Sequence, residues 1–114
     1  MALRNFLLGK IHRATITECD VNYEGSISID PVLLKAAGIA PFEQVDVYNI
    51  HNGERLTTYA IVGNPGQICL NGAAALKGGV GQKVIIACYG LLSENEIAGH
   101  TPRVVLVDET NTPK

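Results

Sequence analysis

The chain has no tryptophan, one methionine, two phenylalanines and four tyrosines in 114 residues. So few rings leave little for a base-stacking platform, since several already fall within apolar strand patterns. It has no excess of positive charge either: 9 basic residues against 11 acidic ones give a net charge of −2. That balance supplies no electrostatic drive toward nucleic acid or an anionic membrane. The three cysteines, Cys19, Cys69 and Cys88, are odd in number and stand at neither metal-ligand nor redox spacing. Free, mostly buried thiols in a reducing compartment are the expectation. The apolar run of the first ten residues is too short for a signal peptide. No run approaches the roughly 20 apolar residues of a membrane-spanning helix, so a cytoplasmic protein is expected. His12, His51 and His100 stand apart, and no HExxH or paired-cysteine pattern accompanies them, which argues against a metal site. Gly25-Ser26-Ile27-Ser28 lacks the Gly-x-Ser-x-Gly spacing of a hydrolase elbow. Lys77-Gly78-Gly79 is too short for a phosphate loop.

What is present is apolar and short-ranged. Hydrophobic residues make up 46% of the chain and charged residues 18%, which indicates a packed globule. Its length suits one domain spanning residues 1–114 with a small core. Lys10–Thr17 is rich in β-branched residues and predicts a strand, in which Lys10 and His12 share a side. Cys19–Glu24 reads as a polar connection. Ser26–Ile29 reads as a short strand with Ile27 and Ile29 on one face. Asp30-Pro31 predicts a helix start, with Asp30 as cap, and Gly38 its end. Gln44–Ile50 and Arg55–Val62 alternate, and Asn52-Gly53 between them predicts a hairpin whose two central residues take positive φ. Gln67–Leu70 and Lys83–Leu92 predict further strands, separated by Asn71–Ala75, which can open a helical turn. Ser93-Glu94-Asn95-Glu96 has the capping-box pattern. Pro102–Val107 closes the series, and the polar tail from Asp108 is expected to fray. Many short strands with tight turns and one clear helix predict a mainly β protein built as a small closed barrel.

Four features stand out as a group, although each has an ordinary reading. Gly25-Ser26 is a common turn dipeptide. Arg55 and Tyr59 alternate on a strand, as a solvated charge and a half-buried ring commonly do. Thr57-Thr58-Tyr59 fits any hairpin strand, and Asn71-Gly-Ala-Ala fits a helix N-terminus.

Together with Lys10-Ile-His-Arg13, Tyr23-Glu-Gly-Ser-Ile27, Asn52-Gly-Glu-Arg55, Thr58-Tyr-Ala-Ile61 and Asn71-Gly-Ala-Ala-Ala75, the chain resembles the aspartate α-decarboxylase family. These are the small pyruvoyl-dependent enzymes that make β-alanine for pantothenate, and hence coenzyme A. Each motif is weak alone, but five occur in the family's order and near its spacing, between about residues 3 and 108. The Gly63–Gln67 turn is shorter than in some members and the tail is short; neither touches a matched motif.

The resemblance implies a double-psi β-barrel, a homotetramer with active sites at subunit interfaces, and autocatalytic cleavage between Gly25 and Ser26. Cleavage would give a β chain of residues 1–25 and an α chain of residues 26–114 that begins with a covalent pyruvoyl group made from Ser26. A pyruvoyl carbonyl takes up the electrons left by a departing CO2 once it forms a Schiff base with the substrate amine, so no separate cofactor motif is needed. Ser26 Oγ would attack the Gly25 carbonyl, with glycine at 25 allowing a strained backbone and Thr58 donating to the oxyanion. Arg55 suits a clamp on the retained β-carboxylate of aspartate, and Lys10 would add positive potential. Backbone N–H groups of Gly72, Ala73 and Ala74 would line the substrate, and Tyr59 is the implied proton donor. His12 has no definite role. A maturation factor is compatible with this chemistry. Three other readings fit parts of the pattern: a small barrel that binds DNA as a regulator, a pyruvoyl decarboxylase for another amino acid such as glutamate, and a scaffold that never matures, in which Ser26 stays a turn serine.

Overall fold

The structure, a computed structural model, describes residues 2–114. Eight strands form one sheet: β1 (Leu3–Thr15), β2 (Glu18–Asp20), β3 (Ser26–Ile29), β4 (Gln44–Asn49), β5 (Arg55–Val62), β6 (Ile68–Asn71), β7 (Lys83–Ser93) and β8 (Arg103–Leu106). Two helices, α1 (Pro31–Ala37) and α2 (Glu94–Ile97), and a 3₁₀ helix at Gly72–Lys77 complete it. The mainly β class expected from the sequence is what is found.

The strands lie in the order β2-β6-β3-β5-β4-β7-β1-β8. β2/β6, β3/β5 and β1/β8 are parallel, and the other pairs are antiparallel. No ladder joins β2 to β8 among the described residues. Instead the segment after β1 crosses the gap. Ile16 N donates to Gln82 O (2.9 Å), at the foot of β7, and Thr17 N donates to Ile68 O (2.8 Å), on β6. Ile11, Ile16, Ile27, Ile29, Ile68 and Ile86 are fully buried between the faces so enclosed, each contributing on the order of 1.5–3 kcal/mol by leaving water.

Several local expectations hold in detail. Asp30 Oδ1 accepts from Val32 N at 2.7 Å, Pro31 opens α1, and Gly38 ends it in the left-handed region at φ 71°. At α2, Glu96 accepts from both Ser93 N (2.9 Å) and Ser93 Oγ (3.0 Å).

Others are corrected. The first strand begins at Leu3 and stops at Thr15, with register shifts between Leu7 and Gly9 and between Ile11 and Ala14. The second shift turns Arg13 to φ 64°, an unusual position for a long side chain. The connection expected at Cys19–Glu24 begins inside β2, because Glu18–Asp20 finds a parallel partner in β6. At Asn52-Gly53 the hairpin exists but its turn is wider than expected. Gly53 takes φ 75° while Asn52 does not enter the left-handed region. The buried Asn49 closes this loop, its Oδ1 accepting from His51 N at 2.8 Å and its backbone pairing with Gly53 and Glu54.

The tail does not fray. Asn111 is buried, and its side chain accepts from Thr15 N (2.7 Å) and donates to Thr15 O (2.9 Å) and Gly66 O (3.0 Å). A polar sequence was no guide here, because one amide satisfies backbone groups that burial would otherwise leave unpaired.

Candidate active site

β5 changes partners along its length, and this places the central residues. Its first half pairs with β4, from Tyr48↔Arg55 to Gln44↔Tyr59, and its second half pairs with β3, from Ile27↔Ala60 onward. Extending the parallel register by two residues sets Ser26 beside Tyr59 and Gly25 beside Thr58. On the other flank Ser26 is paired directly with Asn71 of β6.

Ser26 is fully buried. Its Oγ donates to Glu24 O at 2.9 Å and accepts from Asn71 Nδ2 at 3.0 Å. The other Nδ2 hydrogen goes to Ser28 Oγ at 3.0 Å. Asn71 Oδ1 accepts from Cys69 Sγ at 3.2 Å. Burial is the first cause, and the neighbouring Glu18 the second, that pushes the Cys69 thiol up.

Glycine is required on the opposite side of this turn from where the sequence placed the need. Gly25 has no positive φ, and a β-carbon added there would meet nothing within 4 Å. The backbone strain expected at Gly25 is therefore not found in the continuous chain. Gly72 does have a left-handed backbone, at φ 65°, and a β-carbon on it would lie 2.7 Å from Gly25 Cα. The Asn71-Gly72 peptide is thus pressed against the Gly25-Ser26 turn.

A cleft of ≈ 400 Å³ opens beside the turn, lined by Gly25, Thr58, Tyr59, Ala73, Ala74 and their neighbours, including Lys77. Five of the residues singled out in the sequence therefore meet within one chain. Ser26 and Gly72 do not line it, although Gly72 packs against Gly25.

Lys10 and Arg55 do not line this cleft. Arg55 is exposed on the outer face of the sheet, its Cζ 4.4 Å from the centroid of the Tyr48 ring. The Tyr48 hydroxyl contacts Tyr89 OH at 2.9 Å and donates to Asp46 Oδ2 at 3.3 Å, while Thr57 Oγ1 donates to Asp46 Oδ1 at 2.8 Å. Burial, with Tyr89 and Asp46 adding to it, pushes the Tyr48 phenol up. Lys10 stands in the same row as Asp46 and Thr57, through Ala87. Its strand is four places from β3 in the sheet order, roughly 19 Å along the sheet. His12 shares the face of Lys10, opposite Leu106, and its Nδ1 is buried without a partner among the described residues.

In the sequence Asn71 stands out only as the start of a motif, with no role of its own. A signal was present: Ile68-Cys-Leu-Asn71 is an apolar run, so an asparagine ending it is buried and needs partners. The two serines of β3 are the polar residues of the neighbouring buried strand.

Among the described residues no three His, Cys, Asp or Glu side chains gather to hold a metal ion, and no helix is long and apolar enough to cross a membrane.

Comparison with known proteins gives a consistent result. A family model described as aspartate decarboxylase matches residues 2–114. Proteins named aspartate 1-decarboxylase are similar along nearly their full lengths. The one from Syntrophobacter fumaroxidans is 54% identical over 112 residues, covering 96% of this chain and 90% of that protein. The one from Acaryochloris marina is 56% identical over 110 residues (95% and 84%), and that from Neisseria meningitidis is 57% identical over 110 residues (95% and 87%). With the match running from one end of the described chain to the other, over the turn, the cleft and the outer face alike, the chain belongs to the aspartate decarboxylase family.

Proposed function

We propose that this chain cleaves itself between Gly25 and Ser26 and then converts L-aspartate to β-alanine and CO2, the supply reaction for pantothenate and coenzyme A. The observation that carries the reading is the Ser26 hydroxyl, fully buried next to Gly25 and hydrogen-bonded to the Asn71 side-chain amide, with a cleft lined by Gly25 beside it.

For cleavage, Ser26 Oγ attacks the Gly25 carbonyl carbon, and the hydroxyl proton, hydrogen-bonded to Glu24 O before the attack, passes to the departing Ser26 nitrogen. The Gly25–Ser26 C–N bond breaks as the ester forms. Loss of the Ser26 α-proton and of the Gly25 carboxylate then leaves a dehydroalanine, and water replaces its nitrogen, releasing ammonia. Serine is a weak nucleophile, so each group that holds or stabilises it matters. Thr58, which lines the same cleft as Gly25, would donate to the oxyanion at the Gly25 carbonyl. Exclusion of bulk water from Ser26 favours attack by the hydroxyl over direct hydrolysis.

The surroundings fit a pyruvoyl group at position 26. It would lie buried next to Gly25 of the cleft, with the Asn71 amide as a donor. That group supplies the electron sink for decarboxylation. This chain's own side chains do the rest. Gly72, Ala73 and Ala74 present backbone to the substrate without bulk, and Tyr59 at the cleft wall delivers a proton to the α-carbon after CO2 leaves. Arg55, permanently charged and exposed, clamps the retained β-carboxylate, and Lys10 adds positive potential.

Lys10 and Arg55 stand outside the cleft of their own chain, which supports an assembly in which a neighbouring copy brings its outer face to the cleft. A homotetramer with sites at subunit interfaces has that property. The reading places the enzyme in the cytoplasm, with a maturation factor as an optional accelerator and with L-aspartate preferred over glutamate.

The test is the intact mass of the purified protein under denaturing, reducing conditions. Two chains dividing after Gly25, the larger without an amino terminus, are expected. Ser26→Ala is expected to give one chain and no β-alanine. A wild-type chain that stays whole after prolonged heating overturns the reading.

A further inference from the structure

β3 and β6 are apolar strands that carry four polar side chains on one face: Ser26 and Ser28 on β3, Cys69 and Asn71 on β6. The register makes them a square, with Ser26 opposite Asn71 and Ser28 opposite Cys69. All four are buried, from 0% exposure at Ser26 to 8% at Ser28. A polar square inside an apolar layer is costly unless every group is matched.

The matching runs in one direction. The Ser26 proton is committed to Glu24 O, so toward Asn71 its oxygen can only accept. Asn71 must therefore turn its nitrogen, not its oxygen, to Ser26. An asparagine amide is nearly symmetric in shape, so packing alone does not choose between the two orientations. Cys69 does. Its S–H donates to Asn71 Oδ1 at 3.2 Å, against a weaker contact with Leu70 O at 3.9 Å. Ser28 Oγ, a hydroxyl that can donate or accept, takes the second Nδ2 hydrogen at 3.0 Å and holds the amide in the orientation that Cys69 sets. With the amide flipped, oxygen would face the lone pairs of Ser26, and the thiol proton would face an N–H.

We propose that Cys69 and Ser28 are positioning residues for self-cleavage: together they lock the Asn71 amide so that its N–H meets the Ser26 hydroxyl oxygen. As Ser26 Oγ surrenders its proton and attacks the Gly25 carbonyl, charge on Oγ rises, and an N–H already aimed at it stabilises that charge without reorganisation. A side chain free to flip would offer the donor only part of the time. Because burial keeps Cys69 in the thiol form, its proton is always there to give. This inference rests on the self-cleavage reading and adds two residues to it.

The experiment follows chain splitting over time in freshly purified protein, by intact mass, for the wild type and for Cys69→Ser, Cys69→Ala, Cys69→Val and Ser28→Ala, with thermal unfolding of each. Serine keeps a donor, so Cys69→Ser is expected to split within a few-fold of the wild-type rate. Cys69→Ala and Cys69→Val are expected to be slower by about 10-fold or more, part of the 10²–10³ that removing a whole donor costs. Ser28→Ala is expected to slow splitting by a smaller factor, and the double variant with Cys69→Ala more than either. A packing role would rank the variants differently, since valine fills the thiol's space better than serine does. If the Cys69 variants split equally fast, or in order of side-chain volume, the inference falls while the cleavage reading stands. If the wild type never splits, both fall. Should Cys69→Val fail to fold, the comparison of Cys69→Ser with Cys69→Ala and Ser28→Ala decides.

Discussion

Ser26 and Arg55 lie on neighbouring strands and are opposite in nearly every physical respect. Ser26 has no exposed surface, and its hydroxyl is engaged by Glu24 and Asn71 of the same chain. Arg55 is exposed, rests on the Tyr48 ring, and makes no ion pair among the described residues. Burial forces the first pattern, since polar groups withdrawn from water must find partners nearby. Ligand binding requires the second, since a guanidinium already paired with a protein carboxylate has little to offer a substrate. One molecule thus carries, on adjacent strands, a buried hydroxyl satisfied within its own chain and an exposed cation left free for a ligand. On the proposed function, self-cleavage belongs to the single chain, while turnover depends on what meets the outer face.

The largest effect expected from separating the two is at Arg55. Arg55→Ala removes the proposed clamp on the retained carboxylate and is expected to lower kcat/KM for L-aspartate by about 10²–10³, the scale of losing one partner of a desolvated charge pair. Splitting at Gly25 should keep its wild-type rate. Arg55→Lys should fall between, because an ammonium lacks the planar two-pronged geometry. Steady-state kinetics on fully split protein, beside intact-mass time courses, measure both. A cleavage rate that drops with Arg55→Ala would break the comparison.

A smaller effect, confined to the buried side, distinguishes the two glycines of the turn. Gly72→Ala places a β-carbon 2.7 Å from Gly25 Cα on a backbone at φ 65°. Left-handed strain and overpacking together cost about 2–4 kcal/mol. Gly25→Ala projects a methyl into open space and should lie within about 0.5 kcal/mol of its parent. Thermal unfolding in a Ser26→Ala background, where the chain stays continuous, compares them directly. Equal losses at both positions would show that the close approach of Gly72 to Gly25 is not what fixes the turn.

The same contrast explains what the sequence disclosed. Features set by neighbours in the chain were legible: the Asp30-Pro31 cap, the Gly38 stop, the Ser93 capping box and the alternation of β4 and β5. The resemblance carried by five short motifs pointed to the family and to Gly25-Ser26, although the glycine that the geometry demands is Gly72. Features set at a distance were not legible. Asn111 is buried by partners at Thr15, 96 residues away, and β2 is a strand only because β6 runs beside it. Asn71 looked like the opening of a helical turn, and its pairing with Ser26 spans 45 residues. The hairpin at Asn52 took a wider turn because Asn49, buried and hydrogen-bonded to Lys77 and Gln82, closes the loop from below.

The smallest expected effect lies on the outer face, at His12. Burial first, and then the positive charges of Lys10 and Arg13, hold its pKa below the ordinary 6.5. The unfolded chain therefore takes up a proton at higher pH than the folded one does. Stability from this group is complete above about pH 6.5, declines as pH falls below it, and reaches its floor once the folded imidazole is also protonated. Glu96, Asp108 and Glu109 are held below their ordinary values as well, so their losses come at lower pH. The window between pH 7 and 5 thus isolates His12. His12→Gln, which cannot ionise, is expected to show a shallower fall in Tm across that window, by at most the slope of one proton, with little change at pH 8. Measured on dilute single chains and again on the concentrated assembly, the pair sharpens the comparison further. His12 Nδ1 lacks a partner among the described residues, so a neighbouring copy that supplies a carboxylate would raise the imidazole's pKa and reverse the sign of the slope difference, whereas a copy that merely covers it would deepen the desolvation and enlarge the difference.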